Sequence, residues 1–361
     1  MCTMLVIKPT PLIATYCYSI FRLETYTSCS LGCAYCYGNW YREDRSIRPS
    51  YDVLKLFKKI VLEVSRKSLK PYPFRMSTLV DPFQDLEKEY MISYKIMELA
   101  LKYDYPLIIN TKTTLIFEDP WMDLLVEMAE RGLVVLQFSI LGLDKIEKLE
   151  PLVPHPLEIL DLVKELRRRT YIPIVFRLQP LIPGLNDSPE YLEDVLRELK
   201  RVHPLHVIIE YLRTTSHSLG LYERLALDKS PYKIKWEFYS REGKIVKPPL
   251  YYRLRRIREI KRIAEEMSIR VVSCKEGVIL DYLDDCCGFY ALRNCIKRIT
   301  LREILRRDYS LIRSRYISDR DVRLYPNPIR KALRWYSKVL TEILRDNKFQ
   351  RRIRRFELDI R

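Results

Sequence analysis

The 361 residues suffice for one large domain or two, and a composition 47% apolar and 31% charged describes a folded globular chain, not a disordered one. Lys and Arg outnumber Asp and Glu by 64 to 47, and no run of about eighteen apolar residues occurs that would span a membrane. The net charge of +17 is concentrated at one end, where from Lys297 onward 20 basic residues face 8 acidic ones.

In chain order, "MCTMLVIKPTPLIATYCYSIF" is apolar but broken by Pro9 and Pro11 and lacks a basic start, so it does not read as a signal peptide. The expected location is the cytoplasm, where thiols stay reduced and clustered cysteines point to metal before disulfide. Nine glycines among so many charges of both signs suit a thermophile, a setting in which intracellular disulfides are common. "SIFRLETYT" (19–27) reads as a first strand that leads straight into "CSLGCAYC", with Cys29, Cys33 and Cys36.

From residue 50 to about 212, amphipathic segments predict helices over 51–67, 86–103, 120–132, 156–170 and 188–202. Short apolar runs at 74–80, 106–112, 133–140, 172–180 and 206–212 alternate with them. Such alternation predicts βαβ units and a parallel sheet covered by helices. The fold class is α/β, an incomplete (β/α)6 barrel of TIM type, in which chemistry gathers where strands end. Ser77 with Thr78, Lys112, Ser139, and Arg177 with Gln179 fall at four successive strand ends and together mark a site. "DPFQ" follows the second of these strands, making Asp81 and Gln84 candidates for substrate contact or for support of the site. An Asp81-Pro82 turn leading a helix capped by Asp85 accounts for the same residues equally well.

After residue 213 the alternation stops, and a soft boundary near 215–230 divides a core (1–220) from a basic, mainly helical C-terminal extension (221–361). The extension opens with two short strands around Gly243, then a helix (253–267) and the run "IRVVSC" (269–274). A second cysteine group follows, Cys274, Cys286, Cys287 and Cys295, and then two or three basic helices broken at "YPNP" (325–328). Tyrosines interleave with Arg and Lys over 307–338, which suits nucleic acid, where rings stack and cations meet phosphate. The same pattern also packs a small core beneath arginine stems.

Three cysteines at spacings of four and three admit several readings. A zinc knot wants a fourth ligand, yet the four histidines stand at 155, 203, 206 and 217. A disulfide this local strains the loop and leaves an odd thiol. A four-iron cluster takes four thiolates, so three leave one iron open to an outside ligand.

The CxxxCxxC motif with Tyr35 before its last cysteine, on the loop after the first strand of a partial barrel, resembles the radical S-adenosylmethionine (SAM) enzymes. In detail, "YTSCSLGCAYCY" (26–37), "STLVDPFQDLE" (77–87), "NTKT" (110–113) and the stretch from "LEPLVPHP" to "QPLIPGLND" (149–187) resemble the spore photoproduct lyase-like branch. The resemblance implies that Cys29, Cys33 and Cys36 hold a 4Fe-4S cluster whose open iron is chelated by SAM, with Tyr35 beside the adenine. It also implies that Ser77 and Thr78 take the SAM amino group, that Lys112 and Arg177 sit near its carboxylate, and that Ser139 lies near the ribose or carboxylate. Each position has a plainer account: a solvated charge for Lys112, a carboxylate partner such as Glu210 for Arg177, a turn for Ser139. Ser28 replaces a usual glycine. The hydrogen-donating cysteine that the repair lyase carries beside its second-strand serine has no counterpart, since Met76 precedes Ser77 and no cysteine lies between Cys36 and Cys274. The resemblance therefore implies the branch and not the repair reaction.

Many radical SAM enzymes carry an auxiliary Fe-S cluster in a C-terminal extension, for which Cys274, Cys286, Cys287 and Cys295 are the available ligands. A disulfide, buried thiols or a hydrogen-donating cysteine are the competing readings, and Cys2 and Cys17 read as free thiols. The expected activity is reductive cleavage of SAM to a 5'-deoxyadenosyl radical that abstracts hydrogen from a substrate, with nucleic acid as the candidate. A reductant such as ferredoxin or flavodoxin is implied. The alternative is a non-catalytic nucleic-acid-binding protein with structural metal at its cysteines.

Overall fold

The alternating runs form one seven-stranded parallel sheet. In the computed structural model, which describes residues 5–40, 45–239, 245–277, 285–306 and 319–347, its strands are β1 (Arg22–Leu23), β2 (Phe74–Met76), β3 (Leu107–Thr111), β4 (Val134–Ile140), β5 (Ile174–Leu181) and β6 (His206–Tyr211). Between β6 and the seventh strand come β7 (Thr214–Thr215), β8 (Glu237–Phe238) and β9 (Ile245–Lys247), which pair antiparallel in a small sheet of their own. The seventh strand is β10 (Val271–Ser273), and the order is β1-β2-β3-β4-β5-β6-β10. Residues beyond the expected boundary at 220 thus belong to the same sheet as the core. Cys2, the expected turn at Gly243 and much of the tyrosine- and arginine-rich tail lie outside the described residues.

Each strand is buried because both faces are covered. One face packs on helices such as Tyr51–Arg66, which presents Val53, Phe57, Ile60, Val61 and Val64 at helical spacing. The helix Pro189–Lys200 starts where sequence says it should, with the Ser188 hydroxyl accepting from the Tyr191 N–H and proline in its first turn. One expected helix, 86–103, is instead two, Glu87–Tyr90 and Ile92–Lys102, parted at Met91 with φ +52°. The cause is Glu87, whose fully buried carboxylate accepts from the Ser93 N–H (3.0 Å) and Tyr94 N–H (2.8 Å) and so caps the second helix. The same carboxylate receives Tyr26 Oη (2.5 Å) and Trp121 Nε1 (3.0 Å). Asp85 caps neither piece.

The other face is concave. Register aligns Gln137 with Asn110 and Ser139 with Arg177, so the period of two turns one polar set into the barrel. From the lower end, residues 285–289 fill that interior. Gln137 Nε2 donates to the Cys287 carbonyl at 3.2 Å, and Gly288, at φ +78°, lies so close that a Cβ there would meet Val135 Cγ1 at 3.0 Å. Among the described residues, no helix is long and apolar enough to cross a membrane.

Candidate active site

At the C-terminal ends of the strands lies a cavity of about 920 Å³, counted to its open mouth. Cys29, Cys33 and Cys36 line one wall; Ser77, Thr78, Lys112, Ser139, Arg177 and Gln179 line the floor and sides. Every residue expected at the site from sequence, Tyr35, Asp81 and the rim groups included, borders this cavity except Gln84.

Gln84 stands behind the cysteine loop. Its Nε2 donates to the Ser28 carbonyl (3.0 Å) and its Oε1 accepts from the Ser30 N–H (2.9 Å), fixing the backbone on both sides of Cys29. Gly32, at φ +68°, turns the loop against Pro151, and the Ala34 N–H donates to the Leu149 carbonyl at 2.9 Å. The three thiols pack with Leu31, Tyr35 and Val153, and none forms a disulfide with a described residue; burial pushes Cys33 up to about 12. The burial that holds Cys33 protonated is what binding metal would reverse, since the ligand is the thiolate.

Asp81 is consumed by its own surroundings. One carboxylate oxygen accepts from the Phe83 N–H (3.0 Å), Thr111 Oγ1 (2.8 Å) and Thr113 Oγ1 (3.2 Å); the other accepts from the Lys112 N–H (2.6 Å). Burial raises its carboxyl above the usual range despite these donors. Its place is to lock the loop after β2 to the end of β3 and so aim Lys112. The Lys112 ammonium donates to the Ser139 carbonyl (2.8 Å) and pairs with Glu150 (2.7 Å), over the ring of Tyr35, whose hydroxyl also donates to Glu150. Burial alone would lower Lys112, but Glu150 overrides it and holds the ammonium above its ordinary value.

Sequence offered no signal for Glu24 and Glu150, and named a third carboxylate, Glu210, only as a partner for Arg177. Glu24, just past β1, accepts from the N–H groups of Thr78 (3.1 Å), Leu79 (3.0 Å) and Val80 (3.3 Å) and from Ser77 and Thr78 hydroxyls, so it shapes the loop expected to grip SAM. Glu150 is the Lys112 partner. Glu210 accepts from Gln179 (2.7 Å) and Arg213 (2.6 Å), with Arg177 3.9 Å away. Burial would raise its carboxyl, yet Lys275, Arg213 and Arg177 bring it below the ordinary range.

The second cysteine group lies one layer deeper. Cys286 and Cys287 sulfurs are 3.8 Å apart; Arg75 Nη2 reaches Cys287 Sγ at 2.8 Å, and Arg177 Nη2 reaches Cys274 Sγ at 3.8 Å. Hydrogen bonding from Cys286 pulls Cys274 and Cys287 below the ordinary thiol range and drives Cys286 above it. Cys295 does not join them; its sulfur rests 3.9 Å from the Phe289 carbonyl. His206 faces Tyr290 Oη (2.7 Å) and the Cys286 carbonyl (3.3 Å). Among the described residues, no three Cys, His, Asp or Glu side chains close upon a single metal ion. A mononuclear zinc site needs that closure, whereas the irons of a cluster each take one thiolate.

The residues present fit the implied groups. Three thiols on one loop face the cavity, and the buried Asn110 Oδ1 and Arg75 Nε, on two residues that line it, have no hydrogen-bond partner among the described residues. A bound ligand carrying donors and acceptors would satisfy them.

The fold is a partial α/β barrel shared with solved structures of spore photoproduct lyase. In particular, the chain resembles spore photoproduct lyase complexed with dinucleoside spore photoproduct, with a TM-score of 0.57, 17% identity, and coverage of 75% of this chain and 79% of that one. A variant of the same lyase with bound AdoMet and dinucleoside spore photoproduct superposes at 0.54, again at 17% identity, over 75% and 79% of the two chains. At such identities the likeness establishes the fold. No family model matches the chain. By sequence it is 27% identical over 188 residues to uncharacterized proteins of Mycobacterium tuberculosis and Mycobacterium bovis, covering 50% of this chain and 54% of each relative. The chain thus spans about half the length of the curated relatives it matches.

Proposed function

We propose that this protein is a radical SAM enzyme in which Cys29, Cys33 and Cys36 hold a 4Fe-4S cluster. The observation that carries the reading is that the three thiols share one cavity with Ser77, Thr78, Lys112, Ser139 and Arg177, drawn from four successive strand ends. When bound, the cluster supplies one electron to SAM, whose sulfonium breaks to methionine and a 5'-deoxyadenosyl radical that takes a hydrogen atom from substrate.

The chain's own residues orient and enclose. Lys112 and Arg177 offer charge to a carboxylate, and Ser77, Thr78 and Ser139 offer hydroxyls to an amino group or a diol. Glu24, Asp81 and Gln84 hold the loops that carry those groups. Ferredoxin or flavodoxin is the class of reductant, and nucleic acid is the substrate class favoured by the basic tail. The pairing of Cys274 and Cys287 with guanidinium groups favours buried thiols over an auxiliary cluster at the second group.

Anaerobic reconstitution tests the reading. Bound iron and sulfide of about four each, with dithionite-dependent release of 5'-deoxyadenosine, is the expected result. Bound zinc with no SAM cleavage would instead establish a structural metal in a non-catalytic nucleic-acid-binding protein.

A further inference from the structure

The half of the cavity away from the cysteine loop, beside β6 and β10, is built differently from the half assigned to SAM. Tyr37, held edgewise by its hydroxyl donating to the Thr78 carbonyl, carries Arg213 at 5.1 Å and Lys275 at 5.2 Å from its ring centre. Arg213 lies between Tyr37 and Tyr239 (4.9 Å), donating from Nη1 to the Tyr239 hydroxyl at 3.1 Å, and Lys247 lies beyond Tyr239 (5.6 Å). Cations over ring faces are held in place without being neutralised.

Charge there does not balance. Arg177, Arg213 and Lys275 border the cavity against one carboxylate, Glu210, whose two oxygens are already taken by Arg213 and Gln179. Three positive charges against one negative leave a surplus of two, and bound SAM, net +1, is offset by an oxidised cluster on three thiolates, net −1. Lys275 makes no hydrogen bond or ion pair with a described residue. It sits just past β10 at φ +56°, a conformation that a lysine adopts only where its surroundings impose it. Those surroundings are firm: the neighbouring Glu276 is bound by Arg253 and accepts from the Tyr211 N–H at 2.8 Å.

Resting on the radical SAM reading of this cavity, we infer that Lys275 and Arg213 receive a phosphate monoester, a dianion, carried by the substrate, with Tyr37 flanking it. A monoester matches the two surplus charges; a diester matches only one. Arg213, whose Nη1 and Nη2 already donate to Tyr239 and Glu210, adds a fixed charge and its remaining N–H groups, and Lys275 a point charge beside them.

Calorimetric titration of the reconstituted full chain with phenyl phosphate, its methyl diester and phthalate tests this. Phenyl phosphate is expected to bind about tenfold more tightly than either of the others. Lys275→Gln strands no hydrogen-bond partner and should weaken phenyl phosphate about tenfold, and Arg213→Lys, which keeps a charge for Glu210, several-fold. The surface control Lys164→Gln should stay within about twofold. Equal or tighter binding of the diester or of phthalate, no binding of phenyl phosphate, or a Lys275→Gln protein that binds like wild type overturns the inference. SAM cleavage measured on the same samples keeps the two questions apart. Cleavage without monoester binding rejects the phosphate site alone, and monoester binding without cleavage rejects the enzyme reading.

Discussion

Cys29, Cys33 and Cys36 stand on a rim loop whose backbone is fixed by Gln84 and Leu149, and their sulfurs face a cavity. Cys274, Cys286 and Cys287 lie beneath that cavity, bonded to one another and to Arg75 and Arg177. Both sets bring three thiols together, the deep set buried and the rim set partly so. They differ in their surroundings: the rim thiols border the cavity among Leu31, Tyr35 and Val153, while two of the deep ones meet guanidinium groups. A thiol with a guanidinium partner is stabilised as it stands, and one that borders an open cavity is accessible to a metal.

The largest effect that distinguishes the groups is on iron. Cys33→Ala should remove essentially all bound iron and lower SAM cleavage by about a thousandfold or more while the fold persists, as iron assay and circular dichroism would show. Cys287→Ala should do the reverse. It leaves Arg75 buried without its sulfur partner, costing about 3 kcal/mol in denaturant unfolding, with iron per folded chain unchanged. Iron loss from that variant would mean the deep group also holds metal.

Lys112→Met comes next. Glu150, whose side chain is 2% exposed, would lose its ammonium, at a cost of about 3 kcal/mol in denaturant midpoint. SAM affinity should fall at least about tenfold by equilibrium dialysis, because the same ammonium faces the cavity.

A smaller effect is in pH. Cys274 and Cys287 ionise below the ordinary thiol range in the native state, so over that interval the unfolded chain binds more protons. The stability these two thiols contribute should therefore be fully present above the ordinary thiol value and decline as pH falls through the native ones, by about 1 kcal/mol for each unit of depression, while the raised Cys286 acts in the opposite sense at alkaline pH. In Cys286→Ala, which lacks the shared S–H, unfolding midpoints between mildly acid and mildly alkaline pH should vary less. A slope parallel to wild type would remove the hydrogen-bonded thiol set from the comparison. Cys295→Ala should change least, within about 1 kcal/mol and with no loss of iron, since its sulfur packs at the edge of the core beside the Phe289 carbonyl, away from the other cysteines.

The strands, the cysteine loop and the rim polar groups were readable because each has a period or a spacing. Apolar runs of strand length alternate with helical stripes, and Ser77, Lys112, Ser139 and Arg177 each follow or end one. Glu24 and Glu150 were not readable, because nothing local distinguishes a carboxylate that will hold a distant group from one facing water; Glu210 was named only as a partner for Arg177. Glu87 hid for a related reason: the helical stripe continues across Met91, and only the folded chain shows a buried carboxylate restarting the helix. "IRVVSC" was legible as a strand, but its place as seventh in the main sheet depends on β6, more than fifty residues earlier. Asp81 and Gln84 were found by position, and the structure shows their polar atoms engaged in holding loops.

The segment 285–289 that fills the bottom of the barrel has a kinetic consequence. With Gly288 against Val135 and Gln137 bonded to the Cys287 carbonyl, the lower end is stoppered, and the cavity opens at its mouth. Among the described residues, then, traffic that enters through that mouth is ordered. Whatever sits deepest, against the cysteine loop and the strand ends, enters first and leaves last, so the outer occupant should act as a lid on the inner one and slow its release.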